Sequence, residues 1–263
     1  MAALVKIGIL GAMGRMGRAI AAEVIEADGM ELVAVCDRPD HTQVGKPYPG
    51  ADASLVSAAA QVFAEADVVI DFTPPGATAE HAALAAKHGK GIVVGTTGLS
   101  SADEAALNKA AEVVPVMQAG NYSLGVNLLM ALVREAASKL GTDWDIDILE
   151  MHHRHKVDAP SGTALMLGEA AADGRGKPLG EVRTPAREGL TGERKEGSIG
   201  FAALRGGSVI GEHEVIFASA NERLVLSHKA ENRGLFAAGA VKAAAWLAVQ
   251  KPGRYSMKDV LGL

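Results

Sequence analysis

Short apolar runs that end in glycine, threonine or asparagine turns alternate with segments of helical periodicity in the first half of the chain. The apolar runs predict buried strands over residues 5–10, 31–36, 67–73, 91–95 and 113–118. The periodic segments predict helices over residues 18–27, 77–88 and 102–111. Such alternation is typical of an α/β fold with a doubly wound parallel sheet, whose strands end at one shared ligand-binding edge.

Two details of these helices follow from single residues. Ser101 is predicted to cap the helix that ends at Ala111, because Glu104 stands three residues after it, as in a capping box. His81 and His88 are expected on the surface of the helix over residues 77–88.

Three glycines, Gly11, Gly14 and Gly17, follow the first predicted strand. Glycines let the backbone turn sharply and approach a pyrophosphate, and the helix start behind them offers N–H groups. Asp37 follows about 20 residues later, where a carboxylate accepts from an adenine-ribose hydroxyl, while Arg38 beside it suits a 2′-phosphate. The spacing departs from the usual Gly-x-Gly-x-x-Gly, but the setting predicts a Rossmann-like domain that binds NADH or NADPH.

The second half of the chain has a different pattern. Helices are predicted over residues 124–140, 164–172 and 232–249, and strands over residues 144–151, 198–205, 208–218 and 223–229. Residues 173–197 are polar and rich in glycine, which indicates a long surface loop or lid. The strands predict an α+β domain with a mainly antiparallel or mixed sheet of about four strands. The expected domains are residues 1–122 with 233–263, and residues 123–232.

The densest group of chemically active side chains lies in residues 150–163. They are His152, His153, Arg154, His155 and Lys156, followed by Ser161, Gly162 and Thr163 before a helical run. Imidazoles exchange protons near neutral pH, and a helix start binds anions. The stretch therefore indicates a site that holds and protonates a small acidic substrate, with a solvated basic turn as the alternative.

Structural roles are expected for several other polar residues. The three neighbouring histidines are not expected to bind metal, since adjacent strand residues point to opposite faces and no Cys or His-Glu-x-x-His partner is nearby. Structural or solvated positions are predicted for His155, His213, His228, Arg205, Asp158 and the charged run 183–195, with a substrate contact as the alternative for His213 and Arg205.

Composition narrows the function classes. The formal net charge of −5 disfavours a nucleic-acid partner, and 48% apolar with 22% charged residues is typical of a globular protein. Cys36 is the only cysteine, which excludes an internal disulfide and suits a reducing compartment. Without a signal-peptide pattern or an apolar run of about 18 residues, the expectation is a cytoplasmic protein with no membrane partner.

Five segments resemble the 4-hydroxy-tetrahydrodipicolinate reductase family. They are residues 11–17, 71–73, 95–98, 121–127 and, most specifically, 150–163, and the similarity extends to residues 200–201, 211–213 and 259–261. The resemblance implies reduction of 4-hydroxy-tetrahydrodipicolinate to tetrahydrodipicolinate with loss of water, by NADH or NADPH, in diaminopimelate and lysine biosynthesis. It also implies a homotetramer formed through the C-terminal sheets, so that residues 123–232 bind substrate and mediate assembly.

The resemblance implies roles for individual residues. His152 is implied as the proton donor and acceptor and Lys156 as a second donor. Substrate contacts are implied for His153, Gly162 and Thr163, and Ser161 joins them as part of the helix start. Cofactor contacts are implied for Gly11, Ala12, Met13, Gly14, Arg15, Met16, Asp37, Arg38, Gly95, Thr96, Thr97, Ala119, Gly120, Asn121 and Tyr122. Pro74 stands where some family members carry Arg, so a cofactor contact from that side chain is missing.

Two other functions remain as alternatives. Another amino-acid-pathway NAD(P) dehydrogenase would fit the glycine loop, although Cys36 is misplaced for acylating oxidation of a semialdehyde. A dinucleotide-sensing regulator would need a basic DNA-binding module, which the sequence pattern does not indicate.

Overall fold

The computed structural model describes residues 4–184 and 186–263 and divides into two compact units. One unit runs to Ser123 and resumes at Gly234, and the other is Leu124–Arg233. The strands are β1 (Val5–Leu10), β2 (Met30–Cys36), β3 (Leu55–Val56), β4 (Val68–Asp71), β5 (Gly91–Val94), β6 (Pro115–Gln118), β7 (Asp145–His152), β8 (Ile199–Arg205), β9 (Glu212–Ala218), β10 (Arg223–Lys229) and β11 (Gly253–Tyr255). The helices are α1 (Arg15–Glu26), α2 (Ala59–Glu65), α3 (Thr78–His88), α4 (Ser101–Ala111), α5 (Leu124–Lys139), α6 (Gly162–Gly174), α7 (Leu179–Val182), α8 (Gly234–Leu247) and α9 (Met257–Leu261).

The first unit is built on a seven-stranded sheet in the order β11-β6-β5-β4-β1-β2-β3. Every neighbouring pair is parallel. The central strands are buried along their length because helices cover both faces, which explains their unbroken apolar runs. This arrangement confirms the predicted doubly wound parallel sheet.

The second unit carries a four-stranded sheet in the order β10-β9-β7-β8. β7 pairs with β8 in parallel and with β9 antiparallel, so the sheet is mixed, as predicted. Residues of β7 alternate between buried and half-buried positions, because one face packs against a core and the other does not. The core contains Ile146, Ile148 and Phe217 with Leu167 and Ala171 of α6.

Several helix boundaries differ from the predictions. α1 begins at Arg15, three residues before the predicted start, since Gly14 is an extended N-cap. α4 is capped by Ser100 and not by Ser101. The Ser100 hydroxyl accepts from the Asp103 N–H, and the Asp103 carboxylate accepts from the Ser100 N–H, so the capping box lies one residue earlier.

The segment between α6 and β8 is more ordered than the predicted long loop. α6 continues to Gly174, and α7 follows within the segment. Arg194 is only 17% exposed in its side chain and binds both Asp145 and Asp147 of β7, at 2.9 and 2.6 Å. The prediction of a solvated charge run is therefore wrong for Arg194, because two carboxylates on the strand hold its guanidinium. Pro185 of that run lies outside the described residues.

The C-terminal tail adds elements that no apolar pattern predicted. β11 extends the first sheet by pairing in parallel with β6, and α9 begins with a capping box of Ser256 and Asp259. Three half-buried residues at a sheet edge carry too few apolar side chains to show a strand period.

Replacing Gly17 with alanine is expected to destabilise the first unit by at least about 2 kcal/mol. An added Cβ at Gly17 would lie 2.1 Å from the Gly11 carbonyl oxygen, so α1 and the end of β1 would have to separate. Urea unfolding followed by circular dichroism measures the loss. Gly180→Ala in α7 is the control, since its added Cβ meets nothing within 4 Å. An equal midpoint for Gly17→Ala and the wild type would contradict the expectation.

Candidate active site

The glycine loop, residues 11–17, is fixed against the end of β2. Gly11 has φ of 73°, a conformation that favours glycine. The Ala12 N–H donates to the Cys36 carbonyl at 3.0 Å, and the Gly14 N–H donates to the Gly11 carbonyl at 3.0 Å. α1 has no side-chain N-cap, so its start retains N–H groups of the kind that bind a phosphate.

Asp37, directly after β2, is held by backbone donors. Its Oδ2 accepts from the Met13 N–H at 2.8 Å, and its Oδ1 accepts from the Arg38 N–H at 2.9 Å. The carboxylate thus joins the glycine loop to the end of β2 and still has lone pairs for a ribose hydroxyl. The exposed Arg38 side chain lies 3.1 Å from Asp40, so a 2′-phosphate would compete with that carboxylate.

A buried network after β4 was missed by the sequence analysis. Asp71 is fully buried; its Oδ1 accepts from the N–H and the hydroxyl of Thr73, at 2.9 and 2.6 Å, and its Oδ2 lies 2.7 Å from His81 Nδ1. His81 is 7% exposed, so its predicted surface position is wrong. Helical periodicity could not show this, because the partner that permits burial lies on another element.

The loops after β4 and β5 are packed tightly together. The Thr96 hydroxyl donates to the Thr73 carbonyl at 2.8 Å. A Cβ added at Gly95 would lie 2.3 Å from the Phe72 ring, so glycine is required for this approach. Gly95, Thr96 and Thr97, which the resemblance implies as cofactor contacts, belong to this pair of loops.

Tyr122 cannot present its side chain to a cofactor. It is 2% exposed, its hydroxyl donates to the Val94 carbonyl at 2.8 Å, and its ring packs against Phe72. Burial raises the pKa of the Tyr122 hydroxyl far above its ordinary range. Of the segment Ala119–Tyr122, which the resemblance implies as cofactor contacts, Tyr122 is thus limited to its backbone.

The strand order gathers these loops at one edge of the first unit. β1 lies between β2 and β4, so the chain order reverses there. The glycine loop and Asp37 follow β1 and β2, whereas Thr73 and Thr96 follow β4 and β5. An added Cβ at Gly11 would lie 3.3 Å from the Thr73 side chain, so the two sides are in contact. Ligands of open α/β sheets bind at such a reversal.

Four polar side chains of the second unit converge at the end of β7. Glu150 and His152 are two residues apart and therefore point to the same face. The strand register pairs Glu150 with His213 on β9 and His152 with Arg205 on β8. Residues distant in the sequence are thus brought together by strand pairing.

Glu150 is 1% exposed and accepts four hydrogen bonds. Its Oε1 accepts from Arg205 Nη2 at 2.8 Å and the Ser161 N–H at 3.1 Å, and its Oε2 accepts from Arg205 Nη1 at 2.7 Å and His152 Nδ1 at 2.6 Å. Burial opposes ionisation, but the donors Arg205, His152 and Ser161 outweigh it and lower the pKa of Glu150. The predicted solvated position of Arg205 is therefore wrong.

The ionised Glu150 determines which nitrogen of His152 is available for chemistry. A carboxylate only accepts, so His152 Nδ1 carries hydrogen and Nε2 is left to exchange a proton. The His152 and His213 rings meet edge to face with centroids 5.1 Å apart. A Cβ added at Gly211 would lie 3.1 Å from His152 Nε2, so the glycine leaves room beside that atom.

Lys156 and His153 lie on the turn after β7. Lys156 Nζ is 2.8 Å from Asp158, and this hydrogen bond lowers the pKa of the Asp158 carboxyl. His153 Nε2 lies 3.2 Å from the Arg233 guanidinium, which can only donate, so Nε2 accepts. Desolvation, followed by the charge of Arg233, lowers the pKa of His153. Asp158 thus fixes the loop, in line with its predicted structural role.

The start of α6 is partly used by internal contacts. The Ser161 N–H donates to Glu150, and the Ser161 hydroxyl accepts from the Ala164 N–H at 3.2 Å and lies 3.1 Å from His213 Nε2. Ser161 is therefore the N-cap of α6. Substrate contacts from Ser161, and from Gly162 and Thr163 in the first turn of the helix, stay predictions.

His213 is buried, and its stability contribution depends on pH. Desolvation, followed by the positive charge of His152, lowers the pKa of His213 from 6.5 to about 4. As the pH falls, His213 is protonated in the unfolded chain before it is protonated in the folded protein. Its contribution to the free energy of unfolding is therefore fully present above pH 6.5 and declines below that pH. Lowering the pH from 8 to 5 is expected to reduce the free energy of unfolding by about 2 kcal/mol through His213 alone.

Urea unfolding of His213→Gln at both pH values tests this expectation. The variant should lose about 2 kcal/mol less than the wild type between pH 8 and pH 5. Glu150 does not affect this comparison. Because its pKa is lowered in the folded protein, its own contribution to stability is lost only below about pH 4.5. His155→Gln is the control, because His155 is exposed. Equal losses in His213→Gln and the wild type would refute the assignment.

The described residues offer little support for other chemistry. Burial, and then the charge of Asp37, raises the pKa of the Cys36 thiol to about 11, so this cysteine is not a thiolate nucleophile. Within residues 4–184 and 186–263, no three His, Cys, Asp or Glu side chains are grouped as metal ligands. The same residues contain no helix long and apolar enough to cross a membrane.

The first unit is a parallel sheet with a glycine loop, and the second unit carries an imidazole that is hydrogen-bonded to a buried carboxylate. Together these features define the class of dinucleotide-dependent oxidoreductases. Family models narrow this class. The N-terminal model of dihydrodipicolinate reductase matches residues 5–122, and the C-terminal model matches residues 125–261. The chain therefore belongs to the dihydrodipicolinate reductase family, which uses NADH or NADPH.

Individual relatives agree with this assignment and confirm the predicted resemblance. A 4-hydroxy-tetrahydrodipicolinate reductase of Parvibaculum lavamentivorans is 50% identical and covers 100% of both chains. The enzyme of that name from Zymomonas mobilis is 50% identical and covers 98% of each chain. A dipicolinate-bound dihydrodipicolinate reductase from Paenisporosarcina sp. TG-14 has a TM-score of 0.79 at 25% identity, over 96% of this chain and 97% of that one.

Proposed function

We propose that the chain reduces 4-hydroxy-tetrahydrodipicolinate to tetrahydrodipicolinate with loss of water, in diaminopimelate and lysine biosynthesis. The family assignment and the names of full-length relatives support this reaction. The observation that carries the chemistry is His152, whose Nδ1 is held by the ionised Glu150 and whose Nε2 is therefore left for proton exchange.

NADH or NADPH is proposed to bind the first unit at the edge formed by the glycine loop. The fit rests on three features of these residues: the left-handed Gly11, the uncapped start of α1 and the Asp37 carboxylate fixed beside Met13. Backbone N–H groups of residues 11–16 would hold the pyrophosphate, and Asp37 would accept from the ribose. The loops that contain Gly95–Thr97 and Ala119–Tyr122 complete the proposed site.

The substrate is proposed to bind the second unit. It carries two carboxylates, which suit the first turn of α6 at Gly162 and Thr163, the Lys156 ammonium and the neutral His153. NADH or NADPH, when bound, would supply the hydride that reduces the conjugated C=C–C=N system left by loss of water. His152 Nε2 then delivers a proton to the ring, and Lys156 stabilises the negative charge that develops.

A homotetramer in the cytoplasm is the proposed state of the enzyme. The face of the second sheet that points away from its core carries exposed apolar side chains, with Leu204 on β8 and Val225 on β10 each at 49%. Apolar residues of this size on a sheet are typical of a surface that another subunit covers. Light scattering after size exclusion tests this assembly, and a mass of about one chain, 27.0 kDa, would refute it.

A coupled assay tests the reaction. The product of the upstream synthase is supplied, and oxidation of NADH or NADPH is followed by absorbance. Oxidation that occurs only in the presence of this product is the expected result. Oxidation with another amino acid or semialdehyde alone would favour a different dehydrogenase, and cofactor binding without any turnover would favour a sensor.

Replacing Arg38 with alanine is expected to raise the KM for NADPH about tenfold, with little change in the KM for NADH. The Arg38 side chain follows Asp37, which is proposed to bind the adenine ribose. NADPH carries a 2′-phosphate there that the Arg38 guanidinium would bind, whereas NADH has only a hydroxyl. Steady-state kinetics with each cofactor measures the difference. Arg134→Ala on α5 serves as a control, and equal changes in both KM values would contradict the proposed contact.

A further inference from the structure

We infer that Glu150 is a positioning residue that aligns the proton donor and the substrate-binding helix start at the same time. The inference rests on the proposed function, since it concerns the geometry of His152 and of α6 at that site. It assigns a role to a buried carboxylate that neither transfers a proton nor contacts substrate.

The hydrogen bonds of Glu150 use its whole capacity. A carboxylate has about four lone-pair positions, and each oxygen of Glu150 already accepts two hydrogen bonds. At 1% exposure, neither oxygen has room for substrate. The lowered pKa keeps the group ionised, so Glu150 is not the acid or the base of the reaction.

Arg205 stabilises the buried negative charge of Glu150. Its guanidinium binds both oxygens of Glu150 and also donates to the Asp158 carbonyl at 2.6 Å. The bidentate pair fixes the plane of the carboxylate, because a planar fork restricts rotation more than a single hydrogen bond does. Since Asp158 binds Lys156 at 2.8 Å, the same arginine also anchors the loop that carries the second donor.

The two oxygens of the fixed carboxylate hold different parts of the proposed site. Oε2 sets the tautomer and direction of the His152 ring, and Oε1 holds the Ser161 N–H at the start of α6. The distance between the proton donor and the carboxylate-binding turn is therefore set by one rigid group. Precise placement of this kind is worth large factors in rate.

A double-mutant cycle with Glu150→Gln and His152→Gln tests the inference. Glutamine retains the size of Glu150 but offers one acceptor oxygen and places N–H groups where acceptors are needed. In the wild-type background, Glu150→Gln is expected to lower kcat about 100-fold and to raise the substrate KM, with an unchanged Kd for NADH. In the His152→Gln background, the same change should lower kcat less than about threefold, since the group it acts through is gone.

The controls separate positioning from folding. Glu135→Gln on the exposed face of α5 should leave kcat and KM unchanged. If Glu150→Gln does not fold, Arg205→Lys replaces it, because lysine keeps the charge but loses the bidentate contact; a kcat loss of about tenfold is expected. Kcat losses that multiply in the double variant, or a kcat within threefold of wild type in Glu150→Gln, would overturn the inference. A wild-type protein without activity in the coupled assay would instead refute the proposed function.

Discussion

Replacing His152 with glutamine is expected to lower kcat by about 100-fold to 10,000-fold while the Kd for NADH stays unchanged. The reason is local. Glutamine can still meet Glu150, but it has no group that exchanges a proton near neutral pH, and the ring nitrogen Nε2 is lost. The glycine loop and Asp37, in the other unit, keep their contacts.

The measurement combines steady-state kinetics with a fluorescence titration of NADH. His155→Gln is the matched control, since it makes the same substitution at an exposed imidazole three residues along the chain. Its turnover should equal that of the wild type. Near-normal turnover of His152→Gln at saturating substrate would remove His152 from the proposed chemistry.

Lys156→Ala is expected to lower kcat/KM for the substrate by about 100-fold to 1,000-fold. The Lys156 side chain is 21% exposed, and its ammonium lies 2.8 Å from the Asp158 carboxylate. Its removal leaves the Asp158 carboxylate unpaired beside a dicarboxylate substrate, so repulsion is added to the loss of a donor. Both effects act on the substrate and not on the cofactor.

Lys177→Ala, which removes an exposed lysine from the same unit, is the control for net charge. Activity is measured at two ionic strengths, because a general loss of positive charge is screened by salt whereas a direct contact is screened much less. Equal kcat/KM values for Lys156→Ala and the wild type would contradict the proposed role.

The contacts of Glu150 change how the histidine-rich stretch is understood. His152 is predicted to donate the proton, His153 to contact the substrate and His155 to be structural, and the structure places these three imidazoles in different surroundings. His152 is buried on a fixed carboxylate, His153 accepts from Arg233, and His155 is exposed. Only His152 has one nitrogen held and the other beside a glycine that leaves space.

Local patterns in the sequence determined much of the fold. The strand predicted over residues 5–10 matches β1 at both ends, because continuous apolar runs follow directly from burial on both faces of a sheet. The alternation in β7 likewise follows from a sheet covered on one face. The glycine loop and the stretch over residues 150–163 identified the family, since both consist of contiguous residues.

Tertiary structure alone decided the polar partners. Arg205 reaches Glu150 because β7 and β8 pair in parallel in one register. His81 is buried because α3 brings its ring within hydrogen-bond distance of Asp71. β11 exists because the edge of β6 accepts it, although its own three residues have no strand pattern. Apolar periodicity is a local property that a sequence carries by itself, whereas the pairing of charges depends on which distant strands become neighbours.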